Sequence, residues 1–425
     1  LSGQAYHAKR QQFYGKLDGF WADLYGEEYA LYDIKLINQE EAAQIRLVSE
    51  RIGSIFYKMG SLLRRVPDET LLEMGFPKET LSFIRLKTLP AESVISRLDL
   101  IPYGDSYKCI EINADTPTFI KELFHINGRV CQEFGVENPN EGMERLLQKA
   151  VRESIEQSTS KKSPHIVFTA HEDNIEDRET VLYLQKGVPS RFTPLHKLQI
   201  QQGVGLFDEE GRKIDILYRQ TFPIESLITD EDQEENPIGL WLLQLVAERK
   251  LALINPPSAF LLQNKAVQAV IWGLHEEHHS FFTDEEHEWI EEYFLPTYLE
   301  PDSFLQKGLS YVKKPTFGRE GDTVELFGGD GKLLHADAQR SYSQYIPVYQ
   351  QFVKHPTIPF QSEKGRQKGQ LLLGSFLLQG KSAAFGYRVG GTITNNLSYY
   401  LPVGLRSNSL TRASQDQRPP KEWRE

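Results

Sequence analysis

Cysteine is scarce: Cys109 and Cys131 are the only two in 425 residues. That excludes a disulfide framework and suits a reducing, cytoplasmic setting. No apolar run approaches the ~18 residues that a membrane span needs, so no membrane association is expected. The first residues lack the basic-then-apolar order of a secretory leader. Leu1 stands where an initiating Met would, which is compatible with missing or processed residues. An excess of positive charge is lacking too. Lys and Arg number 48 against 59 Asp and Glu, giving −11 at pH 7, which argues against a nucleic-acid partner held through phosphates. Neither GxxxxGK[ST] nor GxSxG occurs, so a P-loop and a hydrolase nucleophile elbow are excluded. What is present is ordinary for a folded chain: 40% hydrophobic, 11% aromatic and 25% charged residues. At about 150 residues per domain, the length favours two or three packed units.

Residues 1–90 read mostly as helix. Asn38 with Glu41 three residues on resembles a capping-box start. Ile45, Val48, Ile52, Ile55, Met59 and Leu62 then alternate at spacings of three and four, an apolar helical face suited to core packing. From residue 91 the pattern changes to two short strands around Gly104-Asp105. A helix capped by Asn140 is expected over 140–157, a strand over 165–170 and a helix over 176–185. Residues 203–207 and 213–220 flank DEEG as a hairpin, and another helix centres on WLLQLVAE. After Asn255-Pro256-Pro257 a helix carries Lys265, and 310–404 is strand-rich. The tail from 406 is polar. Strands alternating with helices imply an α/β architecture.

Segment 97–113 is the most informative. Facing residues of an antiparallel pair share a constant sum, and a turn centred on Asp105 sets Asp99 against Glu111 and Arg97 against Asn113. All four then share one sheet face, with Cys109 on the same side. Facing carboxylates repel and need compensation. A hard divalent cation ligated by Asp, Glu and an amide oxygen would supply it, with Arg97 beside it for a phosphate. Pairing alone is as compatible with a plain surface hairpin. Cys109 reads as a small apolar core residue.

RLDLIPYGDSYKCIEINADTPT resembles the metal-binding hairpin of the glutathionylspermidine synthetase family, within the ATP-grasp superfamily. Lys265, Lys314-Pro315, the loop Gly318-Arg319-Glu320-Gly321, Tyr349-Gln350-Gln351 and a late strand ending in Arg388 follow in the family's order. The resemblance spans about residues 10–404. It implies an α/β (α+β) ATP-grasp fold with a pre-ATP-grasp substrate domain and an N-terminal helical region. The corresponding segments are 1–90 (helical region), 91–255 (substrate region with the hairpin), 256–405 (nucleotide region) and 406–425 (tail). Asp99, Glu111 and Asn113 would hold Mg²⁺. Arg97 and Arg388 would stabilise the transferring phosphoryl group. Lys265, Lys314, Gly318, Arg319, Glu320, Gly321, Tyr349, Gln350, Gln351, Ile393, Thr394 and Asn395 would contact ATP. Asp115, Thr116, Thr118, Glu176, Asp177 and Arg219 would contact substrates. The implied reaction joins a small-molecule or peptide carboxylate to an amine, polyamines included, with release of ADP. The family's amidase domain has no counterpart, so a synthetase-only member is expected.

Two other readings stand beside this one. A degenerate ATP-grasp protein would bind nucleotide without ligating anything. His275-Glu276-x-x-His279 satisfies a zinc-hydrolase motif if both histidines share a helical face. The acids at 172–177 read either as favourable charge at a helix start or as a site for a cationic amine.

Overall fold

Three sheets and the helices around them organise the chain, in a computed structural model that describes residues 3–319, 321–391 and 398–406. The helix Gln39–Leu63 forms where the apolar periodicity places it. Asn38 accepts a hydrogen bond from the Glu41 N–H at 2.7 Å, satisfying one orphan donor of the first turn. Its buried face, Ile45 through Met59, packs on the strand Gly365–Leu378. Contact is close: a Cβ on Gly53 would stand 2.5 Å from Leu377 Cδ1, and Ser49 Oγ meets Ser375 Oγ at 2.7 Å. The first ninety residues also hold three short strands, Asp23–Leu24, Glu27–Glu28 and Lys35–Ile37.

The strand that helix covers belongs to a six-stranded antiparallel sheet. Its order is Tyr399–Leu401, Lys381–Gly390, Gly365–Leu378, Ile95–Tyr103 and Ser106–Asn113, with Thr357–Ser362 paired to one end of Gly365–Leu378. The hairpin at 95–113 thus shares a sheet with strands from near the end of the chain. A second antiparallel sheet runs Thr297–Tyr298, Pro347–Gln351, Tyr311–Pro315, Glu325–Phe327 and Leu333–Ala336.

The third sheet is parallel: Ala252–Ile254, Ile216–Gln220, Ile166–Ala170 and Arg191–Phe192. Every residue of its two central strands is buried, as expected where both faces are covered. This corrects the hairpin expected around DEEG. Ile216–Gln220 gives its backbone groups to two parallel neighbours, so Gly205–Phe207 pairs with Gln199–Gln201 instead, and only a Phe207–Lys213 bridge spans the turn. Asn255, just past the last parallel strand, ties this sheet to the hairpin. Its Oδ1 accepts from the Val94 and Ile95 N–H groups, and its Nδ2 donates to Ile95 O and Asp115 O.

Two further expectations change. The helix assigned to 140–157 spans Met143–Ser158. Asn140 is not its cap: it is buried, and its amide both accepts from Phe385 N–H (3.0 Å) and donates to Phe385 O (2.8 Å). The helix Ala266–Glu276 stops before HExxH can lie on one face, because His278 takes a left-handed φ of +48°. His275 Nδ1 lies 3.1 Å from His287 Nδ1 and its Nε2 lies 2.9 Å from Glu291, while Glu276 accepts from the Tyr298 hydroxyl. The zinc arrangement is replaced by contacts between two helices. The rest is the mixed α/β architecture expected. No helix among the described residues is long and apolar enough to cross a membrane.

Candidate functional site

The hairpin turns tightly at Gly104-Asp105, with Gly104 at φ +57° and Tyr103 opposite Ser106. That register pairs Leu100 with Cys109. Between Leu100 and Asp99 it shifts by one residue, so that Asp99 faces Glu111 and Arg97 faces Asn113. Ile110 is the extra residue of this β-bulge. The expected pairs therefore form, by a route the expectation did not contain. The bulge reverses the alternation on one strand: Cys109 joins the core behind the sheet rather than the Glu111 face, while Ile110 lies on the cavity side. It also frees the Ile110 carbonyl, which accepts from Lys314 Nζ (3.1 Å) and Gln268 Nε2 (2.9 Å).

One cavity collects Arg97, Asp99, Glu111, Asn113, Thr116, Thr118 and Glu176 from the hairpin side. From the second sheet and its neighbours come Lys265, Lys314, Gly318, Arg319, Gly321, Gln350 and Gln351, and Arg388 completes the set. Among the described residues, five cations (Arg97, Lys265, Lys314, Arg319, Arg388) and four anions (Asp99, Glu111, Glu176, Asp322) line the cavity.

The charges arrive in matched pairs. Arg97 grips both Asp99 oxygens, at 2.6 and 3.1 Å, and donates to Thr118 O at 2.8 Å. Lys265 Nζ lies 3.1 Å from Glu111 Oε2 and donates to Gly318 O, tying the glycine loop down. Burial would raise the Glu111 carboxyl, but the charges of Lys265 and Lys314 outweigh it and hold the pKa below the usual carboxylate range. Burial lowers Lys314 to about 8, with Glu111 opposing the fall. Arg388 lies 4.6 Å over the Phe119 ring and donates to Thr118 Oγ1 at 3.4 Å.

Other expected residues stand apart. Asp115 and Arg219 pair with each other at 2.5 and 2.6 Å, both buried. Tyr349 is absent from the cavity lining and packs its ring 5.9 Å from Tyr311. Gln350 reaches the cavity with its amide already committed to Lys314, Gln268 and Thr297. Asp177 lies in the first turn of the helix Ile175–Gln185, its N–H donating to Asn174 Oδ1. Glu320, Ile393, Thr394 and Asn395 lie outside the described residues.

Sequence reasoning missed two groups. Ile101, Leu295, Val353 and Leu372 form an apolar cluster along the cavity, with Ile110 against it. They come from distant segments, and nothing local joins them. Leu24, Tyr25 and Tyr29 also line it. Their signal was a Tyr-Gly turn between short strands in ADLYGEEY.

Glu225 is buried, and one of its carboxylate oxygens has no hydrogen-bond partner. Burial raises its pKa to about 7, against the opposing charge of Arg319. Between pH 4.5 and 7 the folded state keeps a proton the unfolded state loses, so this group's stabilisation fades as pH rises through 7. Glu225→Gln is expected to match the parent near pH 4 and to be more stable at pH 8, by ~3 kcal/mol at most. Chemical denaturation at both pH values measures it, and an equal difference at both would count against a buried titrating carboxyl.

A family model described as glutathionylspermidine synthase pre-ATP-grasp matches residues 3–406. A Haemophilus influenzae protein provisionally named an acid–amine ligase is 24% identical over 320 residues, covering 72% of this chain and 73% of its own.

Proposed function

The chain belongs to the glutathionylspermidine synthase family, and from that premise we propose that it is an ATP-dependent acid–amine ligase working through an acyl phosphate. The observation that carries this is the paired-charge cavity: two facing carboxylates, each balanced by a cation, beside a buried lysine and a second arginine.

The donor set fits a hard cation. Among the described residues no three His, Cys, Asp or Glu side chains converge as a metal group, but two carboxylates and an amide are the sparse oxygen set that Mg²⁺ uses with phosphates. Asp99, Glu111 and Asn113 would hold it, and it would neutralise phosphate charge. The protein's own groups do the rest. Lys265 turns from Glu111 to a phosphate oxygen while keeping Gly318 O, and Lys314 turns to phosphate from Ile110 O and Gln350. The apolar cluster around Ile101 and Leu372 offers a surface for the base. Arg97 and Arg388, both bonded to Thr118, flank the point where the substrate carboxylate oxygen attacks the γ-phosphorus and ADP leaves. An amine nitrogen then attacks the acyl carbon, phosphate departs, and the nitrogen loses a proton. Lys265 bound to Gly318 O keeps the glycine loop over the site, where it limits hydrolysis of the acyl phosphate. We assign substrates to residues 91–255 and nucleotide to 256–405, with the strands after 357 shared between them.

An ADP-release screen over peptide acids and di- or polyamines tests the reading. One acid–amine pair should give ADP and amide in equal amounts, and Asp99→Asn should abolish both while the protein still folds. Full Mg-ATP turnover by Asp99→Asn would overturn the metal assignment. Thermal stabilisation by Mg-ATP without ADP from any pair would favour a nucleotide-binding protein that has lost ligation.

Lys314 sets a pH limit. Only its ammonium form attracts phosphate, so kcat/KM for ATP, which reports the free enzyme, should fall above about pH 8. Bound phosphate favours the charged form, so kcat should hold to higher pH. Lys314→Arg should remove the alkaline limb from kcat/KM.

A further inference from the structure

The cavity changes character along its length. Two strands in its wall pass from charged to apolar side chains. On Tyr311–Pro315 the lining residues Lys314 and Val312 are two apart, and on Ile95–Tyr103 so are Asp99 and Ile101. Residues two apart on a strand share a face and lie about 7 Å from each other. Leu326 from the second sheet and Leu372 from the six-stranded sheet extend the apolar end. Phosphates belong with Lys314, so a flat base belongs one step along, between the apolar residues of the two sheets.

A histidine stands at this end. Val353, part of the apolar cluster, is followed two residues on by His355. Both are buried and line the cavity, while Lys354 between them is exposed. His355 Nδ1 lies 3.3 Å from the carbonyl of Leu371, the residue before Leu372, and Leu371 N–H donates to Pro356 O at 2.9 Å. Both backbone groups of Leu371 thus hold the segment against the strand Gly365–Leu378. A carbonyl can only accept, so Nδ1 carries the proton, and burial lowers the pKa of the ring and keeps it neutral at pH 7. Nε2 is then a lone-pair acceptor. It has no hydrogen-bond partner among the described residues, which leaves it for a ligand in the cavity.

Resting on the nucleotide part of the ligase reading, we propose that His355 selects the base: its Nε2 accepts a hydrogen bond from the 6-amino group of adenine. Guanine carries an oxygen at that position, and two acceptors facing each other repel. A site built around a hydrogen bond discriminates strongly against a ligand that lacks it, because the protein's polar atom is left buried and unpaired. The apolar walls alone accept either purine, so the choice falls to the imidazole.

Calorimetric titration of the full chain with the Mg²⁺ complexes of ATP, GTP and purine riboside triphosphate tests this. The last is ATP without its 6-amino group. It should bind the parent protein about tenfold more weakly than ATP, and GTP about a hundredfold more weakly. In His355→Leu, ATP binding should weaken about tenfold and its advantage over purine riboside triphosphate should vanish. His355→Gln keeps a donor for Leu371 O and can turn either amide atom to the base. ATP should then stay within about threefold while the ATP-to-GTP preference falls about tenfold. A structural role alone would weaken all three nucleotides alike in both variants, and that result overturns the proposal. So does equal binding of ATP and purine riboside triphosphate to the parent protein. The base choice and ligation fail separately. A preference for the 6-amino group that disappears in His355→Leu supports the proposal even if no acid–amine pair releases ADP, whereas ADP release without that preference removes the proposal and leaves the ligase standing.

Discussion

Arg388→Met is expected to lower kcat for ADP release by about 10³-fold while leaving the folded protein intact. The size follows from how the arginine is held. Arg97 spends both ends of its guanidinium on Asp99 and Thr118. Arg388 has the face of Phe119 at 4.6 Å and a long 3.4 Å bond to the Thr118 hydroxyl. Neither contact costs much to release, so its fork can turn to charge developing on a phosphoryl group, where a preorganised donor matters most. Because Arg388 is only half-buried on its strand, losing it leaves no cavity comparable to a core truncation. Arg388→Lys keeps the charge without the planar fork and should recover only a small part of the rate. Single-turnover ADP release with saturating substrates measures the step directly. A loss under about tenfold would mean that the arginine positions Phe119 and Thr118 rather than serving the reaction.

What could be read from the sequence, and what could not, divides along a physical line. Local periodicity was legible: the Gln39–Leu63 helix with its Asn38 cap, the strands Ile166–Ala170 and Ile216–Gln220 as strands though not their parallel pairing, and the pairing of Asp99 with Glu111 all follow from spacing. Features set by tertiary competition were not. The turn at Gly104-Asp105 and the pairing of Asp99 with Glu111 require different registers, and only the bulge at Ile110 reconciles them. Simple alternation therefore put Cys109 on the wrong face. The HExxH spacing was real in sequence, but the helix ends at Glu276 and the histidines turn to a neighbouring helix. Tyr25 was overlooked because the exposed tip of a four-residue ladder has no periodicity to read, and only the chain's return past Tyr400 brings it to the cavity.

Asp115 and Arg219 show the same division and carry the largest expected effect on stability. Each residue type suggests a substrate contact, since a carboxylate suits an amine and a guanidinium suits a carboxylate. In the fold they satisfy one another. Arg219, on the central parallel strand, reaches both Asp115 oxygens just past the end of the strand Ser106–Asn113. Both side chains are 2% exposed. Asp115→Ala would leave a buried guanidinium whose Nε already lacks a partner and whose other contacts, to Thr221 Oγ1 and Phe222 O, are 3.3 Å long. The expected loss is ~3–5 kcal/mol, the cost of stranding one charge of a buried pair. Arg219→Met should be damaging for the converse reason. The double variant Asp115→Ala with Arg219→Met removes both charges and should be more stable than either single variant, because the desolvation cost disappears with the pair. Urea unfolding of all four proteins closes the cycle. A strongly coupled result places the pair as the pin between the parallel sheet and the hairpin. Near-parental stability in Asp115→Ala, with a raised KM for one substrate, would return Asp115 to the substrate site.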